Sequence, residues 1–153
     1  MTLILPFMLG DERYGLKLTD IQEVIEGADR HYLPAAPAAI VAAVNVHGRI
    51  LPVLDLPLFL GFPPVHWSER MIVLAQRDFP MVLAVDKLEP LLSVDLEQTT
   101  MTQSDAAHDC ISGVLNWHGQ MISLLDLEQL HKTVKETCFA SGGDHAIART
   151  DRR

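Results

Sequence analysis

Residues 45–56 read N-V-H-G-R-I-L-P-V-L-D-L, and residues 116–127 read N-W-H-G-Q-M-I-S-L-L-D-L. Six of the twelve positions hold the same residue in both stretches, namely Asn, His, Gly, Leu, Asp and Leu in chain order. The offset between the two stretches is 71 residues. Neither stretch contains an array of reactive groups, so the repeat indicates a surface that is built twice rather than a reaction centre.

The similarity extends upstream of these stretches. Residues 3–9 can be aligned with residues 70–76, and residues 16–25 with residues 83–92, both at an offset of 67. Two copies of one small unit therefore make up residues 1 to about 131. A unit of about 65 residues buries only a modest core and is marginally stable alone. We therefore expect the two copies to share an interface.

The apolar segments of the chain are short, rich in Val, Ile and Leu, and bounded by Gly, Pro or Asp, which is typical of β-strands. The predicted strands cover residues 3–9, 13–18, 21–25, 43–47, 50–54, 71–75, 81–86 and 88–94 and the two arms of a hairpin over 113–126. Each half thus has about five short strands, a pattern that predicts an all-β fold of two small closed barrels. Closure removes sheet edges that would otherwise be exposed.

Helical structure is expected only in short pieces. Asp55 is a good N-cap for a single turn of helix that ends at Leu60, and Asp126 is expected to cap a helix over residues 127–134. Residues 38–41 are expected to form a further short helical turn.

We interpret residues 1–131 as one duplicated domain, with a first half of about residues 1–66 and a second half of about residues 67–131. Residues 132–153 are expected to complete the C-terminal helix and then to form a disordered tail, because the apolar periodicity is lost there. The polar loop over residues 97–109 is expected to be mobile.

The charge of the chain is uneven. Residues 1–131 carry 7 Lys and Arg against 17 Asp and Glu, which gives −10, whereas residues 132–153 carry 5 against 3, which gives +2. An acidic body repels phosphates, which argues against nucleic acid and anionic membrane surfaces as partners. The apolar run over residues 33–46 is too short to cross a bilayer, so we expect no direct membrane insertion. The start of the chain lacks the basic region of a signal peptide, and a cytoplasmic location is therefore expected.

Several short motifs follow one another in a fixed order. They are L-G-D-E-R-Y-G-L (9–16), I-Q-E-V-I (21–25), L-P-A-A-P (33–37), the stretch 45–56 quoted above, V-L-A-V-D (82–86), I-S-G-V (111–114) and L-L-D-L (124–127). In this order and at these distances they resemble the CheW-like family, the coupling proteins of bacterial chemotaxis arrays.

The resemblance implies two five-stranded SH3-like barrels packed against each other, with no catalytic residue, cofactor or metal. It also implies that the protein is a chemotaxis adaptor, which joins the cytoplasmic tip of a chemoreceptor to the regulatory domain of a histidine kinase. The residues that it places at the receptor are Ile21, Glu23, His47, Arg49, Val82 and Leu91. Phe59 and Phe62, an apolar cluster near the end of the first barrel, are the candidate kinase contacts.

The chain departs from the family in the first repeated stretch. The family usually has Asn-Leu-Arg-Gly where this chain has Asn-Val-His-Gly over residues 45–48. That arginine commonly pairs with the glutamate corresponding to Glu23. A Glu23–His47 pair is therefore expected, weaker than the usual pair and sensitive to pH near neutrality, with Arg49 able to take over the charge. Val82 stands where a glycine is frequent.

The residues leave other binding functions open. A duplicated barrel could hold a small ligand between its halves, or serve a different signalling partner. A metal site at His47 and His118 has little support, because two imidazoles are too few and no further ligand has suitable spacing. Trp67 and Trp117 are candidate interface anchors, although packing at the ends of the barrels explains them somewhat better.

An enzymatic function has no supporting group of residues. Asp55 and Asp126 are explained sufficiently as helix caps. Cys110 lies two residues from His108, a spacing at which a loop rarely holds a nucleophile and its base in geometry.

Overall fold

The structure, a computed structural model, describes residues 1–34, 36, 39–63, 68–75, 79–96, 101–102 and 110–140. Within these residues the chain forms thirteen β-strands, which assemble into a seven-stranded and a six-stranded sheet. The two sheets pack against each other through a shared apolar layer. The prediction of an all-β fold is therefore confirmed, whereas the assignment of each half to an SH3-like barrel stays a prediction.

The seven-stranded sheet contains β1 (Thr2–Leu9), β2 (Glu12–Lys17), β9 (Lys87–Leu88), β10 (Leu92–Val94), β11 (Met101–Thr102), β12 (Ile111–Trp117) and β13 (Gln120–Leu125). Its order is β10-β1-β2-β13-β12-β11, with β9 also paired to β1. The six-stranded sheet contains β3 (Ile21–Glu26), β4 (Arg30–Tyr32), β5 (Ile40–Val46), β6 (Arg49–Asp55), β7 (Arg70–Leu74) and β8 (Val82–Ala84). Its order is β3-β7-β8-β6-β5-β4.

Each sheet combines strands from both sequence repeats. The β1–β2 hairpin of the first half joins the sheet of the second half, where β2 runs parallel to β13 with Gly15 opposite Leu124. In the same way, β7 and β8 of the second half join the sheet of the first, where β8 runs parallel to β6 with Val82 opposite Val53. Because the two units exchange strands, neither unit completes its sheet alone.

Alternation along the strands divides the apolar side chains among three clusters. On β7, Ile72 and Leu74 belong to the layer between the sheets, whereas Met71 and Val73 belong to a cluster enclosed by the six-stranded sheet. The third cluster lies in the seven-stranded sheet and contains Ile4, Val94, Leu115, Ile122 and Leu124. Strands such as β7 and β8 are therefore buried on both faces.

Gly15 and Val82 occupy equivalent positions of the two sheets, at the offset of 67 residues. A Cβ atom at Gly15 would lie 2.8 Å from Cγ2 of Ile4 and 3.1 Å from Cγ2 of Ile122. Val82 is completely buried in the cluster of the six-stranded sheet. In the seven-stranded sheet, the side chains of Ile4 and Ile122 therefore fill the space that corresponds to the side chain of Val82 in the six-stranded sheet.

Both predicted aspartate caps are confirmed. Asp55 precedes α1 (Leu56–Phe59), and its Oδ1 accepts a hydrogen bond from the amide of Leu58 at 3.1 Å. Asp126 precedes α2 (Leu127–Val134), and its Oδ1 accepts from the amide of Gln129 at 3.2 Å. α2 buries Leu127, Leu130 and Val134 in the layer between the sheets.

The structure differs from the sequence-based elements at several places. Ile40 and Val41 begin β5, so the predicted helical turn is wrong there, because β-branched residues pack well on a sheet. β4 and β11 were not predicted, since two or three residues are too few for a pattern. The predicted strand 88–94 is interrupted around Pro90, which cannot donate a ladder hydrogen bond. α2 continues as a π-helical segment, Lys135–Ala140, and the expected tail from residue 141 lies outside the described residues.

Candidate functional site

The first repeated stretch forms the hairpin of β5 and β6, whose turn consists of His47 and Gly48. Both residues have positive φ, 53° for His47 and 86° for Gly48. Two consecutive residues of this kind form the hairpin turn whose twist matches that of the strands. Oδ1 of Asn45 accepts a hydrogen bond from the amide of Gly48 at 2.8 Å, which closes the turn. The imidazole of His47 is thereby held at the end of the hairpin.

His47 contacts Glu23 of β3, as the resemblance implied. Its Nε2 lies 2.9 Å from Oε1 and 2.8 Å from Oε2 of the carboxylate. The side chain of His47 is 71% exposed and that of Glu23 is 30% exposed. Nε2 of Gln22 donates a further hydrogen bond to Oε2 of Glu23 at 3.3 Å. The carboxylate therefore joins β3 to the hairpin end at the protein surface.

Arg49 follows the turn and is exposed. Within the described part of the chain its side chain forms no hydrogen bond or ion pair, so it does not take over the pairing with Glu23. The guanidinium of Arg49 is therefore a cation at the hairpin end without an ion-pair partner among the residues that the structure describes.

An apolar groove lies at the start of β1. A cavity of about 500 Å³ is lined there by Met1, Thr2, Leu3, Leu18 and Thr19. Ile21 follows this lining along the chain and packs partly against the layer between the sheets. Sequence reasoning did not identify Leu3 and Leu18, because nothing in the pattern separates them from core leucines.

Leu91 lies at the same edge of the seven-stranded sheet. It directly precedes β10, in which Leu92 pairs with Ile4 of β1. Leu91 is 49% exposed and Leu3 is 43% exposed, an unusual degree for large apolar side chains. The groove and Leu91 thus both offer exposed apolar surface beside β1.

Contacts with the β1–β2 hairpin hold the segment that carries Leu91. Nε of Arg13 donates to Oε1 of Glu89 at 2.5 Å, and Nη2 donates to Oε2 at 3.1 Å. This hydrogen bond lowers the pKa of Glu89 below its ordinary value, although burial acts in the opposite direction. The amide of Gly10 donates to Oδ2 of Asp86 at 2.6 Å.

The remaining predicted site residues lie deeper in the protein. Val82 is completely buried, so it contributes to the core and not to the surface. Phe59 and Phe62 are partly buried against the layer between the sheets. Phe62 also contacts the ring of Tyr14 edge-on, at a centroid distance of 6.1 Å. Burial and then the neighbouring Glu12 raise the pKa of Tyr14 strongly.

The second repeated stretch forms the hairpin of β12 and β13 with the same backbone. His118 has a φ of 51°, and Oδ1 of Asn116 accepts from the amide of Gly119 at 3.0 Å. Its side chain has a different neighbour, because the ring lies edge-on against Trp117 at a centroid distance of 4.3 Å. At the offset of 67, the position equivalent to Glu23 holds Pro90, so no carboxylate is available there.

The described residues contain no group of three or more His, Cys, Asp or Glu side chains that could hold a metal ion. His47 and His118 belong to different sheets. Cys110 is buried, whereas His108 and Trp67 lie outside the described residues. Among the helices that the structure describes, none is long and apolar enough to span a bilayer.

Comparison with known proteins gives consistent matches. Residues 3–135 match the family model of the CheW-like domain. The chain is 28% identical over 132 residues to Chemotaxis protein CheW of Rhizobium meliloti, covering 83% of this chain and 85% of the relative. It is 26% identical over 137 residues to Chemotaxis protein CheW of Thermotoga maritima, covering 87% and 91%. The crystal structure of scaffolding protein TtCheW from Thermoanaerobacter tengcongensis is similar with a TM-score of 0.73 and 24% identity, covering 81% of this chain and 88% of that one.

Proposed function

Because the chain belongs to the CheW-like family, whose members are chemotaxis scaffolds and not enzymes, we propose that it is a cytoplasmic adaptor that couples chemoreceptors to a histidine kinase. The observation that carries the proposal is the presence, on one pair of packed sheets, of an apolar groove at the start of β1, the exposed Leu91 before β10 and the surface contact between Glu23 and His47.

The proposed receptor surface combines apolar and charged groups. Ile21 and Leu91 supply apolar contacts, and Leu3 and Leu18 of the groove extend them. Glu23, His47 and Arg49 supply the charged part at the end of the first hairpin. An apolar groove beside a few polar groups suits the apolar stripe of a helix, which is the structure proposed for the receptor tip.

The proposed kinase surface is the exposed side of α1 and the residues after it. Phe59 and Phe62 are only partly buried, and Leu58 between the cap and Phe59 is 40% exposed. These side chains give a small apolar patch that a similar domain of the kinase could cover. The patch and the receptor surface involve different residues, as an adaptor requires.

The groove also supports a second candidate function. A cavity of about 500 Å³ falls within the usual size of small-ligand sites. Binding of a small apolar ligand by Leu3 and Leu18 would raise the melting temperature increasingly as the free ligand concentration exceeds the Kd. A thermal-shift screen of small apolar compounds therefore distinguishes this candidate from the adaptor.

Co-sedimentation with a chemoreceptor cytoplasmic fragment and the kinase from the same cell tests the adaptor function. We expect Leu91→Lys and Ile21→Lys to reduce recovery with the receptor fragment about tenfold or more, because each places a charge in an apolar contact. Met121→Lys is the matched control, since Met121 is an exposed apolar residue of the second hairpin, 52% exposed. Recovery of neither partner with the wild-type protein would rule out the coupling function.

A further inference from the structure

The two ring nitrogens of His47 have different surroundings. Nε2 lies 2.9 Å and 2.8 Å from the two oxygens of Glu23. A carboxylate only accepts hydrogen bonds, so Nε2 must carry the hydrogen of this contact. Nδ1 makes no hydrogen bond to any residue that the structure describes, and the side chain is 71% exposed. Nδ1 is therefore the nitrogen that a partner can contact.

Protonation reverses what Nδ1 offers to a partner. In the neutral ring with hydrogen on Nε2, Nδ1 is a hydrogen-bond acceptor, whereas in the charged ring both nitrogens are donors. Histidine is the side chain whose charge ordinarily changes near neutral pH. The hairpin end thus presents an acceptor when the ring is neutral and a charged donor when the ring is protonated.

The charged groups around His47 decide which partner group fits. Glu23 on β3 is occupied by His47 and Gln22. Further along β3, Glu26 pairs with Arg70 of β7, with Nε 3.7 Å from Oε2. Arg49 on β6 is left unpaired within the described residues. When His47 is charged, the surface at this hairpin end is therefore locally basic in an otherwise acidic domain.

We propose that His47 and Arg49 together bind a carboxylate of the partner, and that this contact is stronger when the imidazole of His47 is protonated. The inference rests on the proposed function, because it names the chemistry of the receptor group that the surface recognises. An Asp or Glu side chain beside the apolar stripe of the receptor helix would accept hydrogen bonds from Nδ1 of His47 and from the guanidinium of Arg49. Such charge-assisted hydrogen bonds are stronger than neutral ones.

The test is the affinity of the full-length protein for a chemoreceptor cytoplasmic fragment of the same organism, measured by titration calorimetry at about pH 6 and about pH 8. We expect wild-type binding to be roughly three- to tenfold tighter at the lower pH, at constant ionic strength. His47→Asn should abolish this pH dependence, and asparagine tolerates the positive φ of the turn. His47→Arg should bind tightly at both pH values. Arg49→Gln should weaken binding at both values while keeping the ratio between them.

The second hairpin supplies matched controls. His118→Asn and His118→Arg change a histidine with nearly the same backbone angle but no carboxylate contact, so the wild-type pH dependence should persist in both. Equal wild-type affinity at the two pH values, or the same pH dependence in His47→Asn, would overturn this inference and leave the adaptor function standing. Absence of binding to both the receptor fragment and the kinase at either pH would overturn both.

Discussion

The two repeated hairpins share a backbone and differ in what their side chains contact. Each has a His-Gly turn with positive φ that is closed by an asparagine side chain. In the first, the imidazole of His47 meets the carboxylate of Glu23. In the second, Pro90 takes the place of that carboxylate, and His118 lies against Trp117 instead. The residues that repeat therefore determine the turn, whereas the residues that do not repeat determine which surface each turn presents.

The same contrast holds inside the two sheets, and it gives the largest expected effect. Gly15→Val would copy Val82 into the seven-stranded sheet, where even a Cβ atom would lie 2.8 Å from Cγ2 of Ile4. We expect the free energy of unfolding to fall by about 3 kcal/mol or more, since well-packed cores do not accept added volume. Chemical denaturation followed by circular dichroism measures this change.

Val82→Ala is the matched variant in the other sheet. It removes volume from a completely buried site, and the expected loss is about 2 kcal/mol. Gly15→Val that is as stable as the wild type would show that the seven-stranded sheet has room for the side chain, and the proposed difference between the sheets would be wrong.

The two helix caps differ in the structure that each supports. Asp126→Ala removes the acceptor for the amide of Gln129 at the start of α2, which buries three apolar side chains. We expect a loss of about 1 kcal/mol in the free energy of unfolding. Asp55→Ala affects only the four-residue α1 and should cost less. A larger loss for Asp55→Ala would contradict the view that packing of α2 makes its cap the more important one.

Local signals in the sequence predicted the hairpins and the caps, although the predicted strands 43–47 and 50–54 place the first turn one residue later than the structure does. Asn, His and Gly at fixed spacing specify the turn, and Asp before an apolar run specifies the helix start, because both depend on neighbouring residues. The exchange of β1–β2 and β7–β8 between the repeats could not be predicted, since parallel pairing with β13 and β6 has no short-range signature. The resemblance placed Val82 at a partner surface, but β8 lies between two clusters and buries all three of its residues.

The Arg13–Glu89 ion pair is a further difference between the sheets, because the equivalent positions at the offset of 67 hold Pro80 and Gln22. The folded protein lowers the pKa of Glu89 through its hydrogen bond to Arg13. The resulting stability is present above the ordinary glutamate pKa of 4.5 and is lost as the pH falls through the lowered value. We expect Glu89→Gln to be less stable than the wild type at neutral pH. The loss in the free energy of unfolding should be smaller than the loss that removal of a helix cap causes. Melting curves at several pH values should show the two proteins converging in acid. A constant difference in stability down to strongly acidic pH would contradict the view that the ionised Glu89 carboxylate is the source of this stability.

The smallest expected effect comes from making the two hairpins alike. Pro90→Glu introduces a carboxylate at the position equivalent to Glu23. If the two sheets are equivalent there, His118 should turn from Trp117 towards the new carboxylate, with a gain of about 0.5 kcal/mol at most, since the pair would be exposed. The gain should appear only when His118 is protonated and should diminish in high salt. Pro90→Glu combined with His118→Asn completes a double-mutant cycle in unfolding experiments, which isolates the pairwise interaction. A zero interaction energy would mean that the break between β9 and β10 holds residue 90 out of reach of the hairpin. The charged surface of the first hairpin would then depend on the continuity of β3 as well as on the presence of Glu23.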